Sequence, residues 1–196
     1  MRRSVDPIEA GWLANARRVP SPNFDDRPCP VDLIVIHSIS LPPCEYGGGW
    51  IDDLFTNRLD PGAHPYFEDI AAMHVSCHVL IRRDGELVQY VPFDKRAWHA
   101  GVSTFEGREA CNDFAIGIEL EGCDTDRFET VQYEKLAEVI LLLIDTYPGL
   151  SLERIAGHSD IAPGRKTDPG PHFSWSGLRE CIGKCLTSGD NVSWKE

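Results

Sequence analysis

Three kinds of hydrophobic pattern alternate along the chain. VDLIVIH at 31–37 is an unbroken β-branched apolar run, which predicts a strand covered on both faces. HVLIRR and ELVQYV flank Asp84-Gly85, a dipeptide that favours a two-residue type I′ turn, and so predict a β-hairpin. FAIGIELE at 114–121 predicts another strand, and IAGH at 155–158 the end of one more. From Thr130, read as a cap, Val131, Leu136, Ile140, Leu143, Ile144 and Tyr147 recur at helical spacing until Pro148-Gly149 stops them. A last helix starting near Ser174 would bury Trp175, Leu178, Ile182 and Leu186. This order predicts an α/β fold: a single domain with a central mixed β-sheet flanked by helices.

Pro20, Pro22, Pro28 and Pro30 mark 1–30 as an irregular N-terminal arm packed on the domain. The domain then occupies 31–186, and the polar stretch 187–196 reads as a loose tail. From 40 to 70, Pro and Gly leave room for one short helix near 50–58; connections of that length are usually functional. A chain of 196 residues buries roughly 70% of its unfolded surface, enough for one self-sufficient core. With 42% hydrophobic and 26% charged residues, a disordered or fibrous chain is excluded. The formal net charge of −12 argues against nucleic acid as a partner. The longest apolar stretch, VILLLI at 139–144, is too short to span a bilayer, and the opening residues hold no signal-like apolar run. No membrane partner is expected. Seven scattered cysteines, an odd number, fit a reducing cytoplasm better than a disulfide framework.

Several polar residues need a reason. His37 closes the first buried run and His158 closes the short one. Singly, each reads as well as a core histidine satisfied by a carbonyl; together, they can meet at one rim of a sheet. In GHSDIAPGRKTDPGPH at 157–172, prolines and glycines forbid a regular helix, and a stiff loop can aim Asp160, Arg165, Lys166 and Asp168 at one point. Two imidazoles and a carboxylate, as in His37, His158 and Asp168, make a set that zinc accepts while keeping a fourth position for water. Asp168 alone is equally a turn residue before Pro169. Glu119 and Glu121 share one strand face. Glu119 projects from a stretch that otherwise reads as buried, which a neighbouring metal-bound water would explain. Glu121, nearer the strand end, is expected to be solvated. Lys166 is either a cation delivered beside the metal or a surface lysine. GRKT at 164–167 lacks the glycine spacing of a phosphate loop, and no HExxH is present. Cys181 and Cys185 read as packing residues on one helix face. His64, His74, His78, His99 and His172 have no comparable placement, although His99 lies in the aromatic AWHAG stretch.

Taken together, IVIHSISLPPCEYGGGWIDDLF, HPYF, SCHVLIRRDGELVQYVPFDKRAWHAGVS, CNDFAIGIELEG and GHSDIAPGRKTDPGPHF closely resemble the zinc N-acetylmuramoyl-L-alanine amidases, a family that includes phage amidases and peptidoglycan-recognition proteins. The resemblance covers about 11–186 and points to the cytoplasmic branch that acts on 1,6-anhydro-N-acetylmuramyl peptides in bacterial cell-wall recycling. It implies a peptidoglycan-recognition-like fold and one Zn2+ per chain, held by His37, His158 and Asp168. It also implies that Glu119 activates water, that Lys166 stabilises the oxyanion, and that Tyr66, Trp98, Asn112, Arg165 and Ser38 bind substrate. Some relatives carry Cys as third ligand; Asp168 matches the cytoplasmic branch. Ser38 is a departure, because the family commonly has Asn directly after the first ligand, and serine keeps a hydrogen-bonding group with less reach. The implied partner is an anhydro-muropeptide and the implied enzyme a cytoplasmic monomer, which lowers the muropeptides that control β-lactamase induction. A non-catalytic peptidoglycan-binding module and an amidase of polymeric peptidoglycan are the alternatives. The complete ligand set speaks against the first, and the lack of a signal run or basic wall-binding character against the second.

Overall fold

The computed structural model describes residues 8–187. Its apolar runs assemble into one six-stranded sheet built from β1 (Arg17–Arg18), β2 (Leu33–Ile39), β3 (Val79–Ile81), β4 (Leu87–Gln89), β5 (Ala115–Glu121) and β6 (Ile155–Gly157). The strand order is β6-β2-β5-β3-β4-β1. Only the β3–β4 hairpin pairs antiparallel; the other four pairings are parallel. A parallel centre has both faces covered, which is why β2 and β5 are apolar throughout most of their length and Leu33, Ile34, Val35 and Ile36 are wholly buried.

Alternation divides those residues between two layers. Ile34, Ile36, Ile116, Ile118 and Leu120 pack against α3 (Thr130–Thr146) and α5 (Trp175–Thr187) through Leu136, Ile140, Leu143, Leu178 and Ile182. Each such fully buried side chain contributes roughly 1.5–3 kcal/mol of transfer free energy. On the opposite face, Leu33, Val35 and Ala115 pack on Phe114, Ala156 and Ile161, while Leu80, Val88 and Tyr90 receive Ile51, Leu54, Phe55 and Phe67. Those last four come from α1 (Trp50–Phe55) and α2 (Phe67–Ile70), so the connection from 40 to 70 is anchored at two places. α3 begins at Thr130 itself, and the cap is Glu129, whose N–H donates to Gln132 Oε1 at 2.9 Å. The Gln132 amide then donates to Ile81 O and Glu121 O, which ties the helix to the ends of β3 and β5. Ser174 caps α5, its Oγ accepting from Gly177 N at 3.0 Å. Cys181 and Cys185 pack against the helical core layer.

Four details differ from the sequence pattern. The β3–β4 loop spans residues 83–85: Gly85 N donates to Arg82 O, and within the loop the left-handed conformation is confined to Gly85 (φ +86°). This is a three-residue turn with a bulge glycine, not type I′, which needs two residues at positive φ. The proline-rich arm is more regular than expected, since β1 extends the main sheet and Phe24–Asp26 pairs with Lys95–Ala97. Buried Gln89 stitches the arm down, accepting from Leu13 N and donating to Gly11 O. The stretch after β6 contains one helical turn, α4 (His158–Ile161), where the prolines suggested none; Pro163 follows it and does not interrupt it. Finally, Cys44 and Cys123 form a disulfide between the 40–49 loop and the segment after β5. The tail expected at 187–196 lies outside the described residues beyond Thr187.

Candidate metal centre and catalytic cleft

Three neighbouring parallel strands run toward one rim of the sheet. In the β2–β5 register His37 stands beside Glu119, and in the β2–β6 register Ile36 stands beside Gly157, so His158 follows at the level of His37. Asp168 reaches the same place because its loop turns back on α4, with Ser159 N donating to Asp168 O at 2.9 Å. The result is a triangle. His37 Nδ1 lies 3.0 Å from His158 Nδ1 and 3.1 Å from Asp168 Oδ2, and His158 Nδ1 lies 3.0 Å from the same oxygen.

That triangle fits a zinc ion. Donors about 2.0–2.1 Å from a tetrahedral zinc are separated by about 3.3 Å, close to the spacing of these three atoms. Among the described residues, His37, His158 and Asp168 are the group able to converge on a metal. The tautomers agree: His158 Nε2 is 3.1 Å from Ala100 O, which only accepts, so Nε2 carries the proton and Nδ1 is left bare. Burial pushes His37 down to about 4, only partly opposed by Asp168, which favours a neutral ligand ring. Burial alone would raise Asp168, but the two imidazoles of His158 and His37 beside it outweigh burial and hold the carboxyl below its usual range.

Glu119 and Lys166 flank this group in one cleft, and Ser38, Tyr66, Trp98 and Arg165 line it as well. Glu119 is 8% exposed, and its Oε2 is buried with no hydrogen-bond partner. Burial first, and then the charge of Asp168, raises its pKa well above the usual carboxylate value, while Lys166 pulls the other way. A carboxylate in this condition can both take up and release a proton. Lys166 is exposed at the rim. Tyr66 is 42% exposed at the start of α2, and Trp98 turns a half-buried face to the cleft. Arg165 is engaged by the protein itself, donating through Nη2 to Ala100 O and Val102 O at 2.6 Å. Asn112 does not line the cleft. It is buried behind it, where Oδ1 accepts from His99 N at 3.0 Å and Ala100 N at 2.8 Å.

Glu121 is not solvated. It is 2% exposed and takes hydrogen bonds from Arg82 at 3.1 Å, Gly47 N at 2.7 Å and Arg83 N at 3.2 Å. His99, which had no assigned place by sequence, touches the metal group from behind through His37; AWHAG was the only signal of it.

The comparisons with known proteins agree with this geometry. The family model described as N-acetylmuramoyl-L-alanine amidase matches residues 27–171. The Escherichia coli K12 protein 1,6-anhydro-N-acetylmuramyl-L-alanine amidase AmpD is 61% identical over 183 residues, covering 92% of this chain and 99% of its own. A crystal structure of a selenomethionine AmpD derivative superposes with a TM-score of 0.87 at 60% identity, over 89% of this chain and 98% of that one. More distantly, the E. coli amidase AmiD, solved with anhydro-N-acetylmuramic acid-L-Ala-D-γ-Glu-L-Lys, gives a TM-score of 0.56 at 26% identity, over 89% of this chain and 65% of that one. Sheet, cleft and sequence therefore lead to one assignment: the chain belongs to the N-acetylmuramoyl-L-alanine amidase family and is an amidase.

Proposed function

We propose that the protein hydrolyses the amide between the lactyl group of 1,6-anhydro-N-acetylmuramic acid and the first L-alanine of the stem peptide. It would do so as a cytoplasmic monomer in cell-wall recycling, lowering the muropeptides that govern β-lactamase induction. The observation that carries this reading is the pairing of a His37–His158–Asp168 triangle with an unpartnered, buried Glu119 in the same cleft.

A zinc ion held by His37, His158 and Asp168 would supply Lewis acidity, polarising the scissile carbonyl and lowering the pKa of water toward roughly 7. Glu119 takes a proton from the attacking water and returns it to the departing alanine nitrogen, which leaves as an amine only once protonated. Lys166 holds the charge that develops on the carbonyl oxygen, a contribution of about 3–4 kcal/mol for one well-placed donor. Tyr66 and Trp98 form walls for the sugar and peptide, and Ser38 offers a hydroxyl beside the first ligand. Arg165, braced on the 100–102 backbone, adds positive charge where an anionic peptide enters.

The test is zinc-loaded protein incubated with anhydro-muropeptide and followed by mass spectrometry. Free stem peptide and anhydro sugar are expected as products. Glu119→Gln should retain zinc and lose about 10²–10⁴-fold in turnover. Loaded parent enzyme that leaves the sugar–peptide link intact would end this proposal, and an undiminished Glu119→Gln would remove the base assignment.

A further inference from the structure

The ring of His37 has two nitrogens and both are engaged. Nδ1 faces His158 and Asp168, while Nε2 lies 2.9 Å from Nδ1 of His99. The two rings meet edge-on, 82° apart with centroids 5.0 Å from one another. We infer that His99 is a positioning residue for the metal centre, holding His37 in the tautomer and orientation that present Nδ1 to the ion. The inference rests on reading His37, His158 and Asp168 as metal ligands. A neutral ligand imidazole that offers Nδ1 keeps its proton on Nε2, so His37 donates and His99 accepts through a bare Nδ1. The proton of His99 then sits on Nε2, which is buried and has no hydrogen-bond partner among the described residues.

The surroundings of His99 hold it to that task. Its N–H and that of Ala100 both end on Asn112 Oδ1, which fixes the backbone of this dipeptide. A side chain at Gly117 on β5 would collide with His99 Cγ, so the strand leaves room for this ring. His78 closes the far side, with ring centroids 5.7 Å apart. The next residue supports the second ligand in the same way, Ala100 O taking His158 Nε2 at 3.1 Å. Two consecutive residues of one loop thus back both histidines of the triangle. Supports of this kind typically change metal affinity by about 10–100-fold when lost.

Two substitutions separate the acceptor from mere ring volume. His99→Phe keeps the bulk and removes Nδ1; His99→Asn places an amide oxygen near the position of Nδ1 and restores an acceptor. Zinc affinity is measured by competition with a chromophoric chelator, and the ligand field by the visible spectrum of the Co2+-substituted protein, with circular dichroism as the check on folding. His99→Phe is expected to bind zinc about 10–100-fold more weakly with an altered cobalt spectrum, and His99→Asn to recover most of the loss. Parent-like zinc binding by His99→Phe, or equal weakening in both folded variants, overturns the inference. Should His99→Phe fail to fold, nitrogen-detected NMR of zinc-loaded parent enzyme decides. A proton on Nε2 of both His37 and His99 supports the inference, and a proton on His99 Nδ1 overturns it. Parent protein that binds no zinc would instead remove the metal reading beneath it, an outcome distinct from tight binding by parent and His99→Phe alike.

Discussion

Glu119 and Glu121 stand two positions apart on one face of β5 and meet opposite environments. Glu121 is buried against Arg82, Arg83 N and Gly47 N, whereas Glu119 Oε2 has no partner. Removing one member of a buried ion pair strands the other, at a cost of about 3–5 kcal/mol. Glu121→Gln should therefore lower the free energy of unfolding in chemical denaturation, by less than that amount because Asp52 at 3.9 Å and Glu86 at 3.7 Å still face Arg82. In the same assay, zinc-free Glu119→Gln should match or exceed the parent, because it relieves an uncompensated carboxylate. A loss of stability in Glu119→Gln equal to that in Glu121→Gln would contradict this division. The sequence carried the first half of it: a carboxylate within an apolar run demands a reason, and that reasoning led to Glu119. It missed the second half because the partner of Glu121, Arg82, lies just beyond β3, 39 positions away in sequence. His99 escaped for the same reason, since an imidazole supporting another imidazole leaves no spacing in the sequence.

At the scale of elements, β2, β5, the hairpin strands, α3 and α5 were all legible, because each buries enough apolar surface to leave its period in the sequence. Two-residue strands such as β1, whose Arg17-Arg18 is exposed, leave none; they are set by backbone pairing with strands that exist already. The single turn of α4 is hidden for a similar reason, as four residues are too few to show a helical period. The helix of greatest consequence for the sheet is α3, through Gln132. Gln132→Ala removes the hydrogen bond from Glu129 N and leaves Ile81 O and Glu121 O without that donor. The expected loss is about 1–3 kcal/mol in urea denaturation, with zinc stoichiometry unchanged. Loss of zinc in that variant would show that the helical layer and the ligand face are coupled more tightly than the layered packing indicates.

Seen whole, the molecule separates its tasks between the two faces of one sheet, α3 and α5 covering one while the ends of β6, β2 and β5 deliver His158, His37 and Glu119 on the other. It is also strongly acidic, at −12, although the proposed substrate is itself anionic. Arg165 and Lys166 at the cleft must then offset the wider field at short range, where salt screens least. Raising sodium chloride across the physiological range should change KM by less than about threefold; a steep rise would mean that capture relies on long-range attraction. Among the described residues no helix is long and apolar enough to cross a membrane. The Cys44–Cys123 bridge closes a loop across 79 positions of sequence, a constraint worth about 4.5 kcal/mol by chain entropy. Dithiothreitol should accordingly lower the melting temperature, as read by thermal scans, and a scan unmoved by the reductant would show the bridge to be energetically idle. Wherever thiols are kept reduced, the lip of the cleft would be left to non-covalent contacts, among them the hydrogen bonds of Tyr46 to Asp126, Gly47 N to Glu121 and Arg82 to Gly48 O. Alkylation trapping in intact cells would then report, through two sulfur atoms, which kind of compartment the enzyme inhabits.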